Sequence, residues 1–177
     1  IFSGDWSSDV CSSDLINFPI MKQTLNGQIA LTKYHSLREF KERLRDGKLM
    51  IKAQNELLFL RDTFKFEYYV KRYQLDPEAE RRLIRSGRKD LFCIYFKFRR
   101  CHRSTESLLI HYPEALSIYA KYHSLGESAQ MEMVKQKKLQ TAMKYIKRRE
   151  LCEKALAFFR EHAEKPLVVF YDRAYGV

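Results

Sequence analysis

No apolar run in the chain approaches the ~18 residues that a membrane-crossing helix needs. No basic patch leads into an apolar core near the start, so no secretory signal is visible. Glycine and proline are scarce, 6 and 4 among 177 residues, and no glycine-rich phosphate loop can be assembled from them. The 4 cysteines show no paired spacing that would suggest a disulfide framework or a zinc site. Acidic residues are in deficit, 22 against 33 Lys and Arg. Membrane-embedded, disulfide-stapled and phosphate-loop classes are thereby excluded. What remains, at 45% hydrophobic and 31% charged, is the composition of a soluble globular or elongated unit, with a reducing cytoplasm as the expected location.

What the chain does have is repetition. Tyrosines fall at Tyr69, Tyr95, Tyr119, Tyr145 and Tyr171, in steps of 26, 24, 26 and 26. Six residues after each comes Leu75, Cys101, Leu125, Leu151 and Val177; ten after, Ala79, Thr105, Ala129 and Ala155; fourteen after, Leu83, Leu109, Met133 and Phe159. A self-similar period of this size marks a repeat architecture. Each copy reads as two short helices joined by a tight turn. The first carries the Tyr, as in Asp90 to Arg100, where Leu91, Ile94, Tyr95 and Phe98 follow helical spacing. The second starts nine or ten residues later. Asp76 is placed as an N-cap, Pro77 suits the first helical position, and Glu78 and Glu80 favour the positive end of the dipole. Gly87 and Pro113 are stop signals. Leu91–Phe96 and Leu167–Tyr171 are rich in β-formers and would read as strands in isolation. The register places both in first helices, and packing overrides propensity.

The ends of the chain read differently. Ile1 to Leu15 holds three of the acidic residues and none of the basic ones. Met21 onward is polar, then Gln28 to Tyr34 reads as a short helix. Tyr34-His-Ser-Leu37 repeats Tyr122-His-Ser-Leu125 letter for letter, which suggests a degenerate early copy with Leu31 at the Tyr position. Ser36 with Glu39 forms a capping box, Leu37, Phe40 and Leu44 make an apolar face, and Gly47 ends the helix. On that alignment residues 49–63 have no regular place. The expected organisation is a leader over 1–20, an irregular helical segment over 21–63, and a solenoid over 64–177 whose last copy stops at Val177 without a second helix. Leu167, Val168, Phe170 and Tyr171 are then uncovered, and self-association through that repeat is expected.

The copy from Tyr69 to Gly87, with its Tyr helix, Leu, Glu-Ala-Glu, apolar pair and Gly turn, resembles the short helical repeats of Bacteroides-type bacteria. These are similar to HEAT and leucine-rich-repeat-variant solenoids. The resemblance covers residues 64–177 and is weakest in the second copy, where Arg103-Ser-Thr-Glu replaces Pro-Glu-Ala-Glu. It implies an all-α solenoid of roughly 26-residue helix-turn-helix repeats, without a sheet, and no particular reaction. Separately, Ile1–Leu15 resembles translated sequencing-adaptor read-through, most closely in GDWSSDVCSSDL, which would remove Trp6 and Cys11 from any functional argument.

Candidate chemistry is sparse. A tyrosine ladder can stack bases or fill a core; its apolar neighbours (Leu91, Ile94, Ile118, Leu167, Phe170) assign it to the core. His35, His102, His111, His123 and His162 are scattered. Cys101 and His102, with Cys93, lack the four converging ligands of a structural zinc site, so no metal and no cofactor are expected. Glu78 and Glu80, and Glu150 and Glu153, sit where second helices start and read as capping groups rather than an acid/base pair. No enzyme is expected.

One feature points outward. Two residues after each Tyr stands Lys71, Lys97, Lys121, Lys147 and Arg173. Two residues is ~200° around a helix, so these side chains face away from the Tyr. Arg72, Arg99, Arg100, Arg148 and Arg149 thicken the same region. The leading expectation is a non-catalytic scaffold for protein–protein interaction. The alternative is nucleic-acid binding along the ridge of Lys71, Arg72, Lys97, Lys121, Lys147, Arg148 and Arg173. Because Ile1–Leu15 carries no periodic apolar face, its deletion should leave the thermal midpoint within a few degrees of the parent. A larger drop in a circular-dichroism melt would show that this segment packs.

Overall fold

The computed structural model describes residues 24–44, 47–60, 62–136 and 139–176. The readings made on Ile1–Leu15, Met21 and Val177 lie outside these residues. The described chain is helical, without a strand: α1 Leu25–Tyr34, α2 Leu37–Arg43, α3 Ile51–Phe59, α4 Thr63–Arg72, α5 Pro77–Ser86, α6 Lys89–Phe98, α7 Arg103–Leu109, α8 Pro113–Tyr122, α9 Glu127–Lys135, α10 Leu139–Ile146, α11 Glu153–His162 and α12 Lys165–Tyr175. No helix among them is long and apolar enough to cross a membrane. The odd helices pack each on the next from α1 to α11, and the even helices likewise from α2 to α10. The result is a two-layered all-α solenoid, in which each copy contributes one helix to each layer.

The repeat positions are the core. Tyr69, Tyr95, Tyr119 and Tyr145 are fully buried and Tyr171 nearly so. The positions six, ten and fourteen residues on are buried in every described copy. Residues 64–163 hold the four expected helix pairs, α4 through α11. The β-rich Leu91–Phe96 lies within α6 and Leu167–Tyr171 within α12. Their apolar side chains find the same one-sided burial on a helix that they would on a strand, and the neighbouring copies supply it.

Residues 49–60, which the tyrosine register could not place, are regular. Leu49, Ala53 and Leu57 are buried and stand one period of 26 before Leu75, Ala79 and Leu83. α3 lies between α1 and α5 in the odd layer. The Tyr34-His-Ser-Leu37 echo is therefore out of phase. Tyr34 ends an odd-layer helix and is 83% exposed, whereas Tyr122 ends an even-layer helix and is half-buried. Leu31 is buried one period before Leu57, at a leucine position and not at a tyrosine one. The Ser36–Glu39 capping box is present, and Gly87 closes α5 at φ 69°, a left-handed conformation that glycine adopts without a Cβ penalty.

Two acidic positions differ from expectation. Asp76 is the N-cap residue of α5, but its carboxylate bonds to Lys48 Nζ at 2.8 Å and to the Gln54 amide, not to the helix it precedes. Glu80 is not a surface dipole group. It is fully buried and accepts from Tyr95 Oη at 2.6 Å, from the His102 backbone N–H at 2.9 Å and from the Thr105 hydroxyl. The same place recurs along the solenoid. Gln28 accepts from Met50 N, Gln54 from Asp76 N, Glu106 from Gly126 N and Gln130 from Cys152 N, at 2.6–2.8 Å. Each of these nitrogens, like that of His102, belongs to the residue that precedes the next odd helix. At Gly126 the acceptor comes especially near: a Cβ there would meet Glu106 Oε2 at 2.9 Å, so a larger residue requires the Glu106 side chain to shift.

Burial pushes the Glu80 carboxyl above its ordinary range, against the pull of the Thr105, Tyr95 and His102 donors. A carboxyl whose folded value is raised contributes its full stability below the unfolded value and loses it as pH rises through the folded one. The unfolding free energy of Glu80→Gln relative to wild type should therefore shift in the variant's favour as pH is raised from about 4 to 7, read by urea denaturation. A pH-independent difference would show that Glu80 does not titrate in this window. Glu80→Ala leaves the Tyr95 hydroxyl and the His102 N–H without an acceptor, while Thr105 keeps the His102 carbonyl, and should lower stability by at least about 2 kcal/mol at either pH.

Candidate binding faces

The first candidate face is the outside of the even layer. Lys71, Lys97, Lys121, Lys147 and Arg173 are all exposed, one per copy, on α4, α6, α8, just after α10, and on α12. Lys71 pairs with Glu67 at 2.6 Å. Among the described residues none of the other four forms an ion pair. The position four residues earlier, Glu67 in the first copy, is Cys93, Ser117, Met143 and Val169 in the rest. Beside the cations runs a half-buried column of Tyr68, Ile94 and Ile118. Aromatic rings interleave at one end. Lys71 and Lys97 lie 5.1 and 5.4 Å from the Phe98 ring centre, Lys121 lies 5.4 Å from Tyr122, and Arg72 sits over Tyr68 at 3.8 Å. Arg148 is exposed beside Lys147.

Three arginines grouped with this ridge in the sequence belong elsewhere. Arg99 donates to Val70 O at 2.6 Å and Lys71 O at 2.8 Å. Arg149 donates to Ala120 O at 2.8 Å and Lys121 O at 3.3 Å. Arg100 bonds to Ser124 O at 2.9 Å and Glu106 at 3.3 Å. Arg99 and Arg149 stand four residues after the Tyr, and every copy uses that position in the same way. Tyr73 reaches Leu44 O at 3.2 Å, His123 Nε2 meets Phe96 O at 2.7 Å, and Tyr175 bonds to Ile146 O. Each satisfies a carbonyl at the C-terminal end of the preceding even helix, where the last turn has no partner of its own. The signal was present in the sequence, since all five residues carry a donor, but they share neither charge nor shape.

The second candidate face is on the odd layer. Arg81 and Arg85 of α5, Ser104, Ser107 and Leu108 of α7, His111 after it, and Glu132 of α9 line an open depression of about 210 Å³. The sequence reading did not single out this group. Its members come from three copies, and no one-copy motif announces them.

Among the described residues the buried titratable groups are engaged with one another. Cys101 lies between Glu80 and Glu106; burial first, then those two carboxylates, push its thiol well up and keep it protonated. Burial also raises the phenols of Tyr95 and Tyr119, each of which donates to one of these carboxylates. His102 Nε2 faces Leu75 O at 2.9 Å. No group of three His, Cys, Asp or Glu among the described residues is placed to hold a metal. Comparison of the chain with protein-family models, curated proteins and solved structures returns no match.

Arg149→Met should lower stability by about 1.5–3 kcal/mol, because two carbonyls lose a charged donor. Lys147→Gln, two residues away and exposed, should change it by less than about 0.5 kcal/mol. Equal effects in chemical denaturation would dissolve the distinction between framing and surface cations.

Proposed function

We propose that the chain is a non-catalytic helical-repeat scaffold that binds an acidic partner protein along the outer face of the even layer. The observation that carries this reading is the pairing of a basic column, four of whose five members have no carboxylate partner among the described residues, with a parallel apolar column. Lys97, Lys121, Lys147 and Arg173 recur at one repeat position, and Ile94 and Ile118 recur beside them. An amphipathic acidic helix laid across the copies presents that combination, with apolar anchors at i and i+7, about 10 Å apart like neighbouring packed helices, and carboxylates on the flank. The interlocked layers support it, because every outward position is held at a fixed step along the molecule. HEAT-like kinship and a bacterial source are part of the same proposal.

A second reading, nucleic-acid binding, is favoured by the rings of Tyr68, Phe98 and Tyr122 among the cations. Stacking platforms of this kind serve single strands. The two readings separate in one titration series, with a labelled acidic amphipathic helical peptide and a single-stranded homopolymer as probes. The scaffold reading expects the peptide to bind with a shallow salt dependence, and to weaken at least about 10-fold in the Lys97→Gln, Lys121→Gln, Lys147→Gln triple variant. Binding of the homopolymer alone, with a slope of log affinity against log salt of roughly −3 that flattens by about 2 in the triple variant, would replace it with the second reading. Binding of neither probe would leave the ladder as a solvated face and overturn both.

A further inference from the structure

We propose that the odd-layer depression between α5 and α7 is a second binding site, one that takes a phosphorylated side chain on a protein segment. Arg81 and Arg85 are one helical turn apart on α5 and both line it. The neighbouring Arg82 is held by Glu78 at 3.1 Å, so the exposed carboxylate of this helix is already engaged. Neither Arg81 nor Arg85 forms a hydrogen bond or ion pair with a described residue, whereas Arg88, Arg99, Arg100, Arg149 and Arg160 all do. Arg81 is half-buried and Arg85 exposed, and two guanidinium groups one turn apart without a counter-ion among the described residues present a ready partner for an anion.

The opposite wall supplies hydroxyls. Ser104 and Ser107 lie one turn apart on α7, with His111 one further turn along and Leu108 as an apolar patch between them. Two planar guanidinium forks and two hydroxyls suit a group with three acceptor oxygens and a charge of about −1.5 to −2, which a phosphomonoester provides and a lone carboxylate does not. Glu132 closes the α9 side and accepts from Gln136 at 2.9 Å. Its charge opposes an anion there, so the phosphoryl group is seated toward α5. The depression, about 210 Å³, admits a phosphoserine side chain and is open enough for the peptide backbone to run across. The site sits on the layer opposite the lysine ladder. It rests on the scaffold reading only in that its anion arrives on a protein.

The test is fluorescence anisotropy on the full chain with four probes: a short labelled peptide with a central phosphoserine, its unphosphorylated twin, and inorganic phosphate and a single-stranded oligonucleotide as competitors. The phosphopeptide should bind at least about 10-fold more tightly than its twin. Arg81→Gln with Arg85→Gln, and separately Ser104→Glu, should each weaken it at least about 10-fold with the thermal midpoint unchanged, and millimolar phosphate should compete. The Lys97, Lys121, Lys147 triple variant should stay within about 2-fold of wild type, which keeps failure of this site distinct from failure of the even-layer reading. Equal affinity for the twin peptides, or an equal loss in the ladder variant, overturns the proposal. So does displacement by a single-stranded oligonucleotide as effective as the phosphopeptide itself. Inorganic phosphate that binds as tightly as the peptide would reassign the site to the free anion.

Discussion

The constraint behind this structure is the number of helix ends. A helix of ten residues leaves four N–H and four C=O groups without intrahelical partners, so short helices have more backbone to satisfy at their ends than in their middles. Twelve described helices of seven to eleven residues create that demand again and again. The chain meets it across copies. A buried Glu or Gln takes the backbone N–H in front of the next odd helix, and a Tyr, Arg or His binds the last carbonyls of the previous even helix. Lys65 and Arg88 do the same for the ends of α1 and α3, through Thr32 O and through Leu58 O and Leu60 O. A copy on its own would lose these partners as well as its apolar cover, so stability belongs to adjacent pairs of copies.

This division of labour explains why the charged residues fall into two sets that composition cannot separate. Arg99 and Arg149 hold the frame, while Lys97 and Lys147, two residues before them, point to water. It also explains the buried acids. Glu80 and Glu106 resemble an acid/base pair in isolation, yet each is saturated by a phenol and a backbone N–H. Gln54 and Gln130 occupy the same repeat position with the same backbone contact, so the position requires an acceptor and not a charge. Where the acceptor is Gln130, the neighbouring Tyr145 reverses its role, and its hydroxyl accepts from Leu125 N at 3.1 Å.

Much of the fold was legible because side-chain burial is periodic and periodicity survives in a one-dimensional string. The tyrosines, the position six residues on, and the small and apolar positions after it gave the helix pairs and overrode the β-rich Leu91–Phe96. The phase of the first copies was misread because four identical letters, Tyr34 to Leu37, outweighed a quieter match of Leu49, Ala53 and Leu57 to the next copy. Letter identity reports ancestry or chance, whereas the pattern of buried positions reports packing. The exposed ladder was readable from the 200° offset alone; the arginines beside it were not, since a cation that caps a carbonyl and a cation in water have the same letter.

The sequence by itself determined the period, the all-helical class, the tyrosine core and the outward placement of Lys71, Lys97, Lys121, Lys147 and Arg173. Each follows from spacing within one copy, and a helix fixes angles between residues a few positions apart. Only the tertiary structure decided which polar residues pair between copies, that Glu80 is buried, that residues 49–60 complete a layer, and that Arg81, Arg85, Ser104, Ser107 and Glu132 face one depression. Those relations join residues from 13 to 51 positions apart in the chain, and it is the stacking of one copy on the next that brings them within reach.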